Sequence, residues 1–158
     1  MNDDDLIDLL YLIPSITRLE LFAVEIGQSF FSHFEATTFT PLHSDNNSHQ
    51  FLPNLQTFIF DAERTFSWSA VATMAPTRSL ESNMIRRPLA KVSISTYPLN
   101  LEPGPEPIID REYLEKILAS TRDGVTFAIW EARETNLNVI QQSLEFHQMD
   151  QDGRSIEE

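Results

Sequence analysis

Two acidic residues, Glu20 and Asp61, stand where a pair of carboxylates could act together. Each lies in a segment that alternates apolar and polar residues, and the two segments are predicted to be neighbouring strands with both carboxylates on one face. Acid–base hydrolysis needs two carboxyl groups about 5 to 10 Å apart. Because the chain contains 24 Asp and Glu residues, most of which serve solubility, we expect no catalytic pair here and predict a protein that is not an enzyme.

The other side chains that could do chemistry give no stronger signal. His33, His43, His49 and His147 lack the i, i+4 spacing of a helical zinc pair. His43 and His49 share a polar segment with Asp45, but a solvated loop is the simpler interpretation, and we predict no metal site. The sequence has no Gly-x-Ser-x-Gly motif, no glycine-rich loop followed by Lys, and no cysteine. We therefore predict no cofactor and no disulfide.

The composition limits the partners that the protein can have. Its 158 residues include 24 acidic and 11 basic ones, for a formal net charge of −13, and 41% are hydrophobic. Nucleic acids and anionic membranes are bound by surfaces rich in Lys and Arg, so we expect neither as a partner. No segment approaches the roughly 18 apolar residues of a membrane helix, and no signal peptide is recognisable, so the predicted location is the cytoplasm or the nucleus.

The elements that position these residues follow a repeated apolar spacing. Three segments share the same offsets and a preceding Pro, and a fourth is a weaker copy: they are Ile16, Leu19, Leu21; Leu55, Phe58, Phe60; Leu89, Val92, Ile94; and Val125, Phe127, Ile129. The markers Leu19, Phe58, Val92 and Val125 are 39, 34 and 33 residues apart. A period of this length indicates an array of similar units, each beginning with a strand.

Helices are predicted around these strands from apolar residues at helical spacing and from cap residues. The predicted helices are Leu6 to Ile13, with Asp3 to Asp5 at its amino end; Phe30 to Phe34, capped by Ser29; Trp68 to Ala75, capped by Ser67; Tyr113 to Leu118, capped by Asp110; and Leu137 to Leu144, capped by Thr135 or Asn136. Polar or proline-rich segments predict surface loops at Thr40 to Gln50, Arg78 to Lys91 and Tyr97 to Pro107.

Strands that alternate with helices at this spacing predict right-handed βαβ units and a parallel sheet. We predict an α/β fold: a short right-handed leucine-rich-repeat-like solenoid with a four-stranded parallel sheet and helices on one face. It occupies residues 1–149 as one domain, followed by a disordered acidic tail at 150–158. The alternative is a doubly wound sheet with helices on both faces, for which the polar residues on the strands are unsuited.

The second face of such a sheet is open and could contact a partner. The period of two sends the residues between the apolar ones to this face: Glu20, Phe22, Thr57, Ile59, Asp61, Ser93, Ser95, Thr126, Ala128 and Trp130. Phe22, Ile59 and Trp130 are its large apolar members. We predict that this set, without Ala128, binds a protein partner, assisted by the loops at Thr40 to Gln50 and Tyr97 to Pro107.

Four stretches, IPSITRLEL, LPNLQTFIF with the following FSWSAVATM, and RPLAKVSI, resemble the leucine-rich-repeat region of the large fungal family of F-box proteins. In that family, the repeats hold the substrate of a cullin-RING ubiquitin ligase, and a preceding F-box joins the ligase adaptor. The resemblance implies a non-catalytic role in substrate recognition. No F-box precedes Leu6, so we do not expect the chain to dock an adaptor.

Two alternatives stay open. A small doubly wound α/β enzyme or ligand-binding domain would have helices on both faces and a pocket at the carboxyl ends of its strands. An inactive fragment of a longer protein would have no activity of its own. The ends of a solenoid need polar caps, which the helix from Leu6 and the helix Leu137 to Leu144 could provide, and aggregation of the isolated chain would favour the fragment.

Overall fold

The computed structural model describes residues 3–36, 39–41, 51–75, 84–86, 88–97, 108–132 and 136–154. The helices within these ranges are α1 (Asp3–Tyr11), α2 (Gln28–Ala36), α3 (Trp68–Thr73), α4 (Arg111–Arg122) and α5 (Val139–Arg154). The strands are β1 (Arg18–Phe22), β2 (Phe39–Pro41), β3 (Thr57–Glu63), β4 (Met84–Arg86), β5 (Lys91–Tyr97), β6 (Thr126–Ala132) and β7 (Asn136–Asn138).

The main sheet has five strands in the order β1-β3-β5-β6-β7. The first four are parallel, and β7 pairs antiparallel with β6. The protein is therefore an α/β protein with a mostly parallel sheet. The predicted count of four strands is wrong, because the short β7 adds a fifth strand. A three-residue strand is too short to carry a recognisable period, which is why the sequence pattern did not reveal it.

The strand order follows the chain without a reversal, unlike the order of a doubly wound sheet. Consecutive helices contact one another from α1 through α5. Burial alternates along the strands, so that Leu19 and Leu21 of β1 are buried while their neighbours are exposed. The buried strand residues belong to one core together with helix residues such as Phe30 and Ile117. Among the described residues, the sheet thus has one covered face and one open face.

Phenylalanines dominate the centre of the core. Phe30 of α2 stacks on Phe58 of β3 with ring centroids 6.0 Å apart, and the ring centroid of Phe31 lies 4.6 Å from that of Phe66. Phe60 contacts the same Phe66 edge to face at 5.4 Å. Burying one such ring contributes about 2 to 3 kcal/mol, so this cluster is a major source of the stability of the helix layer.

The same backbone hydrogen bonds recur where successive strands begin. The carbonyl of Thr17 accepts from the amides of Gln56 and Thr57, and the carbonyl of Gln56 accepts from those of Ala90 and Lys91. The register pairs Leu19 with Phe58, Phe58 with Val92, and Val92 with Phe127. The marker of the fourth unit is therefore Phe127 and not Val125, and the last step is 35 residues rather than 33.

Two of the predicted loops contain short strands. β2 pairs antiparallel with β4, bringing Thr40 opposite Ile85 in a separate two-stranded sheet. β2 overlaps the predicted loop Thr40 to Gln50, and β4 lies within the predicted loop Arg78 to Lys91. Such a pairing between three-residue segments depends on the tertiary fold and has no local signal. The rest of the Thr40 to Gln50 loop and residues 98–107 lie outside the described residues.

The helix ends differ in how well the sequence predicted them. Ser67 and Asp110 occupy the N-cap positions of α3 and α4, although neither side chain makes the capping hydrogen bond. The last helix begins two residues later than predicted, because its cap is Asn138, whose Oδ1 accepts from the amide of Gln141 at 3.0 Å. Asn136, one of the two predicted caps, lies in β7 instead, and the other, Thr135, lies outside the described residues. α5 continues to Arg154, past the predicted domain end at residue 149.

A residue of α1 caps the amino end of α2. The amide of Gly27 donates to both carboxylate oxygens of Asp3 at 2.9 Å, and the amide of Phe30 lies 3.3 Å from Oδ2. The hydroxyl of Ser29 also donates to this carboxylate. Ser29 lies in the first turn of α2, so the prediction that it is the N-cap of this helix is wrong. A Cβ on Gly27 would lie 3.0 Å from Asp3 Oδ2, so the glycine leaves room for the carboxylate.

Two residues of α5 hold the backbone that leads into α4. The amide of Ile109 donates to Ser143 Oγ at 2.9 Å, and the carbonyl of Ile109 lies 2.9 Å from His147 Nε2. Ser143 and the side chain of Ile109 are fully buried. His147 therefore has a structural role, donating from one ring nitrogen to a main-chain carbonyl.

Replacing Asp3 with Ala should lower the free energy of unfolding by about 1 to 2 kcal/mol, because the first amides of α2 lose their acceptor. The matched control is Asp4→Ala, which removes the same charge from the same helix turn at an exposed position. Urea unfolding followed by circular dichroism measures both. Equal losses in the two variants would show that the contact between α1 and α2 contributes nothing beyond charge.

Replacing Ser143 with Ala should lower the free energy of unfolding by about 1 to 3 kcal/mol, because it leaves the buried amide of Ile109 without an acceptor. His147→Ala should cost less, and the exposed Gln148→Ala on the same helix should be neutral. Because both residues hold Ile109, the double variant should lose less than the sum of the single losses. Additive losses in a double-mutant cycle would contradict this shared role.

Candidate recognition surface

The open face of the sheet consists of the side chains of β1, β3, β5 and β6 that alternate with the buried ones. All nine residues that the sequence predicted for partner binding lie on it: Glu20, Phe22, Thr57, Ile59, Asp61, Ser93, Ser95, Thr126 and Trp130. Ala128 lies there too. The in-register pairing brings residues from four separate strands side by side, which the period of two alone does not determine.

The register arranges this face in rows that cross the strands. The row nearest the amino ends of the strands contains Arg18, Thr57, Lys91 and Thr126, and the next contains Glu20, Ile59, Ser93 and Ala128. The third, which we call the anchor row, contains Phe22, Asp61, Ser95 and Trp130 of the four parallel strands. Asn138 of β7 lies beside Trp130 and is not counted in this row. Glu63 and Tyr97 form a shorter row at the carboxyl ends.

The anchor row places aromatic side chains at both of its ends. Phe22 is 55% exposed and Trp130 is 40% exposed, and Asp61 lies beside Phe22. Neighbouring strands are about 4.8 Å apart, so three strand steps separate the two aromatic residues by roughly 14 Å. Exposed aromatic side chains are the residue type that most often anchors a protein partner, so these two are candidates for that role.

Four further residues of the open face were not predicted as site residues, namely Arg18, Glu63, Lys91 and Tyr97. Tyr97 is 42% exposed and adds a third aromatic side chain. Arg18 and Lys91 lie within the predicted strand segments, so the period of two already pointed to them. It would also have found Glu63 and Tyr97, had the second and third strands been extended by two residues beyond Asp61 and Ser95. On the opposite face, Glu131 is a buried carboxylate next to Thr96. The period of two, continued from Ile129, places Glu131 on this covered face, but a carboxylate is rarely fully buried there.

Charge is divided along the face. Arg18 and Lys91 lie in the row nearest the amino ends, and Arg18 forms an ion pair with Glu20 in the next row. Asp61 and Glu63 lie toward the carboxyl ends. Among the residues that the structure describes, no side chain forms an ion pair or a hydrogen bond with the Asp61 carboxylate. One end of the face is therefore basic and the other acidic.

The two carboxylates that the sequence singled out lie close together on the open face. Glu20 and Asp61 are diagonal neighbours on β1 and β3, but Glu20 is paired with Arg18, and both carboxylates are exposed. Over the described ranges, no group of three or more His, Asp or Glu side chains could hold a metal ion. His43 and His49 lie outside those ranges.

Comparison of the chain with protein-family models, with curated proteins and with solved structures found no match. The class that the fold and this surface define is an α/β protein with a mostly parallel sheet that is open on one face. None of the helices that the structure describes is long and apolar enough to cross a lipid bilayer.

Phe22→Ala and Trp130→Ala should leave the fold intact, with losses in unfolding free energy of no more than about 2 kcal/mol, because about half of each side chain is exposed to solvent and neither belongs to the core. Phe58→Ala, on the same sheet but with its ring fully buried, should cost about 3 to 5 kcal/mol. Urea unfolding of the three variants checks the assignment of the faces. A loss for Phe22→Ala or Trp130→Ala as large as that for Phe58→Ala would contradict it.

Proposed function

We propose that the chain is a non-catalytic protein-recognition module that binds a protein partner on the open face of its sheet. The observation that carries this proposal is the anchor row, in which Phe22 and Trp130 are exposed at the two ends of one row. Exposed aromatic residues on a rigid scaffold are typical of the residues that dominate binding energy in protein interfaces. A sheet also holds such residues at fixed separations, which lowers the entropy cost of binding.

We further propose that the fold is a short leucine-rich-repeat-like solenoid. The strand order without reversal, the helices that contact each other in chain order, and the recurrent hydrogen bonds of the Thr17 and Gln56 carbonyls support this architecture. Repeat proteins of this kind use the face that their helices leave uncovered for binding. The same observations favour this proposal over a doubly wound enzyme domain.

The resemblance to the repeats of fungal F-box proteins suggests what the partner would be. In that family, the corresponding surface holds the substrate of a ubiquitin ligase, and by analogy this chain would hold a substrate protein in the cytoplasm or nucleus. Docking of the ligase adaptor is not included in the proposal, which concerns substrate recognition by the open face alone.

The test is to identify partners of the purified chain by cross-linking and then to measure their affinity for variants. The double variant Phe22→Ala/Trp130→Ala should bind at least about tenfold more weakly, since two anchor residues are removed. The matched control is Phe146→Ala, which removes an aromatic side chain that is 49% exposed and belongs to α5, a helix that packs against α4, and not to a strand of the open face. It should change the affinity by less than about twofold.

A folded double variant that binds its partner as tightly as the unmodified chain would contradict the proposed surface. A loss of affinity in Phe146→Ala as large as that in the double variant would also contradict it. Circular dichroism of each variant separates loss of binding from loss of folding.

A further inference from the structure

The two rows at the carboxyl ends of the strands carry negative charge only. Asp61 and Glu63 are their charged members, whereas the cations of the open face, Arg18 and Lys91, lie in the row nearest the amino ends. Arg18 is already paired with Glu20. The carboxylate of Asp61, with Phe22 on one side and Ser95 on the other, is thus the central charge of the anchor row.

We infer that the anchor row binds an extended segment of a partner protein with the pattern apolar-x-basic-x-apolar. The two apolar side chains contact Phe22 and Trp130, and the basic side chain pairs with Asp61. This inference rests on the proposed function and adds to it the chemistry of the segment that is recognised.

The spacing of the row fits an extended segment. Residues i, i+2 and i+4 of an extended chain point to the same side, and at about 3.4 Å per residue the outer two lie roughly 14 Å apart. This equals the estimated separation of Phe22 and Trp130 across three strand steps. The central residue then lies above the boundary between Asp61 and Ser95, where a guanidinium can donate to the carboxylate and to the serine hydroxyl.

The chain itself shows the combination of a cation with a carboxylate and an aromatic ring. Lys116 Nζ lies 3.2 Å from Glu112 Oε1 and 5.1 Å from the centre of the Tyr113 ring. Arg64 likewise lies over the ring of Trp68, with its Cζ 5.0 Å from the centroid. A basic residue beside Asp61 and Phe22 would meet the same two kinds of partner, an arrangement favoured more strongly when a binding segment excludes water.

The net charge of the whole protein also favours binding of a basic segment. The formal net charge of −13 attracts basic segments over distances up to about a Debye length, close to 8 Å at physiological salt. Long-range attraction increases the rate of encounter, while the local charge of Asp61 determines the register in which the segment binds.

The experiment begins with selection from a displayed library of random peptides on the folded, immobilised chain. Binders should be enriched in Arg or Lys two residues from apolar residues on both sides. Enrichment of acidic or uncharged central residues would overturn the inference, as would enrichment of apolar residues at a helical spacing of three and four.

Synthetic peptides with the core Leu-Ser-Arg-Ser-Leu and Leu-Ser-Glu-Ser-Leu then test the charge directly by fluorescence anisotropy. The Asp61→Lys variant should bind the Arg peptide at least about tenfold more weakly and should prefer the Glu peptide. The matched control is Asp8→Lys, which makes the same change in net charge at an exposed position of α1. It should change the affinity for the Arg peptide by less than about threefold.

Equal effects of Asp61→Lys and Asp8→Lys would assign the preference to net charge and overturn the inference. The inference would also be overturned if peptide binding were lost in Phe22→Ala/Trp130→Ala but unchanged in Asp61→Lys. That result would leave the proposed function in place. Binding that none of these open-face variants affects would overturn both.

Discussion

Parallel pairing of β1, β3, β5 and β6 in one register is the interaction on which the two faces of this protein depend. Because Leu19, Phe58, Val92 and Phe127 are paired across the sheet, every buried side chain has a buried neighbour. The residues between them form rows on the opposite side. A slip of one residue in any strand would exchange its core residues with its open-face residues, at the cost of several buried aliphatic or aromatic side chains. The hydrophobic core and the candidate surface are therefore specified together.

The helix layer depends on polar contacts at its ends as well as on its aromatic centre. Asp3 ties α1 to the first amides of α2, and Ser143 with His147 ties α5 to the backbone before α4. Each contact satisfies main-chain groups that would otherwise be costly to bury. The terminal helices, which have a neighbouring helix on one side only, are thereby held in defined positions. An open sheet face can display fixed side chains only if the helices beneath it do not shift.

Patterns of period two and of helical period were sufficient for most of the sheet and for the candidate surface. The alternation in Arg18–Phe22 and Thr57–Glu63 is readable because every buried position of these strands is apolar, even though Phe22 and Ile59 are apolar on the open face. The pattern failed where tertiary contacts decide the structure. The pairing of β2 with β4, the antiparallel β7 and the Asp3 cap of a different helix all join segments that carry no local signal. Val125 was mistaken for the marker of its unit because it too is apolar and buried.

The chain contains two tryptophans, and the fold divides them between its two sides. Trp68 is buried at the start of α3 under Arg64, whereas Trp130 stands exposed at the end of the anchor row. Indole emission depends on the polarity of its surroundings, so the intrinsic fluorescence of the protein contains one reporter of the core and one of the open face. A ligand that covers the sheet would change the emission of the exposed indole, while loss of the core would change that of the buried one. Binding and unfolding can therefore be followed separately in the same sample without an added label.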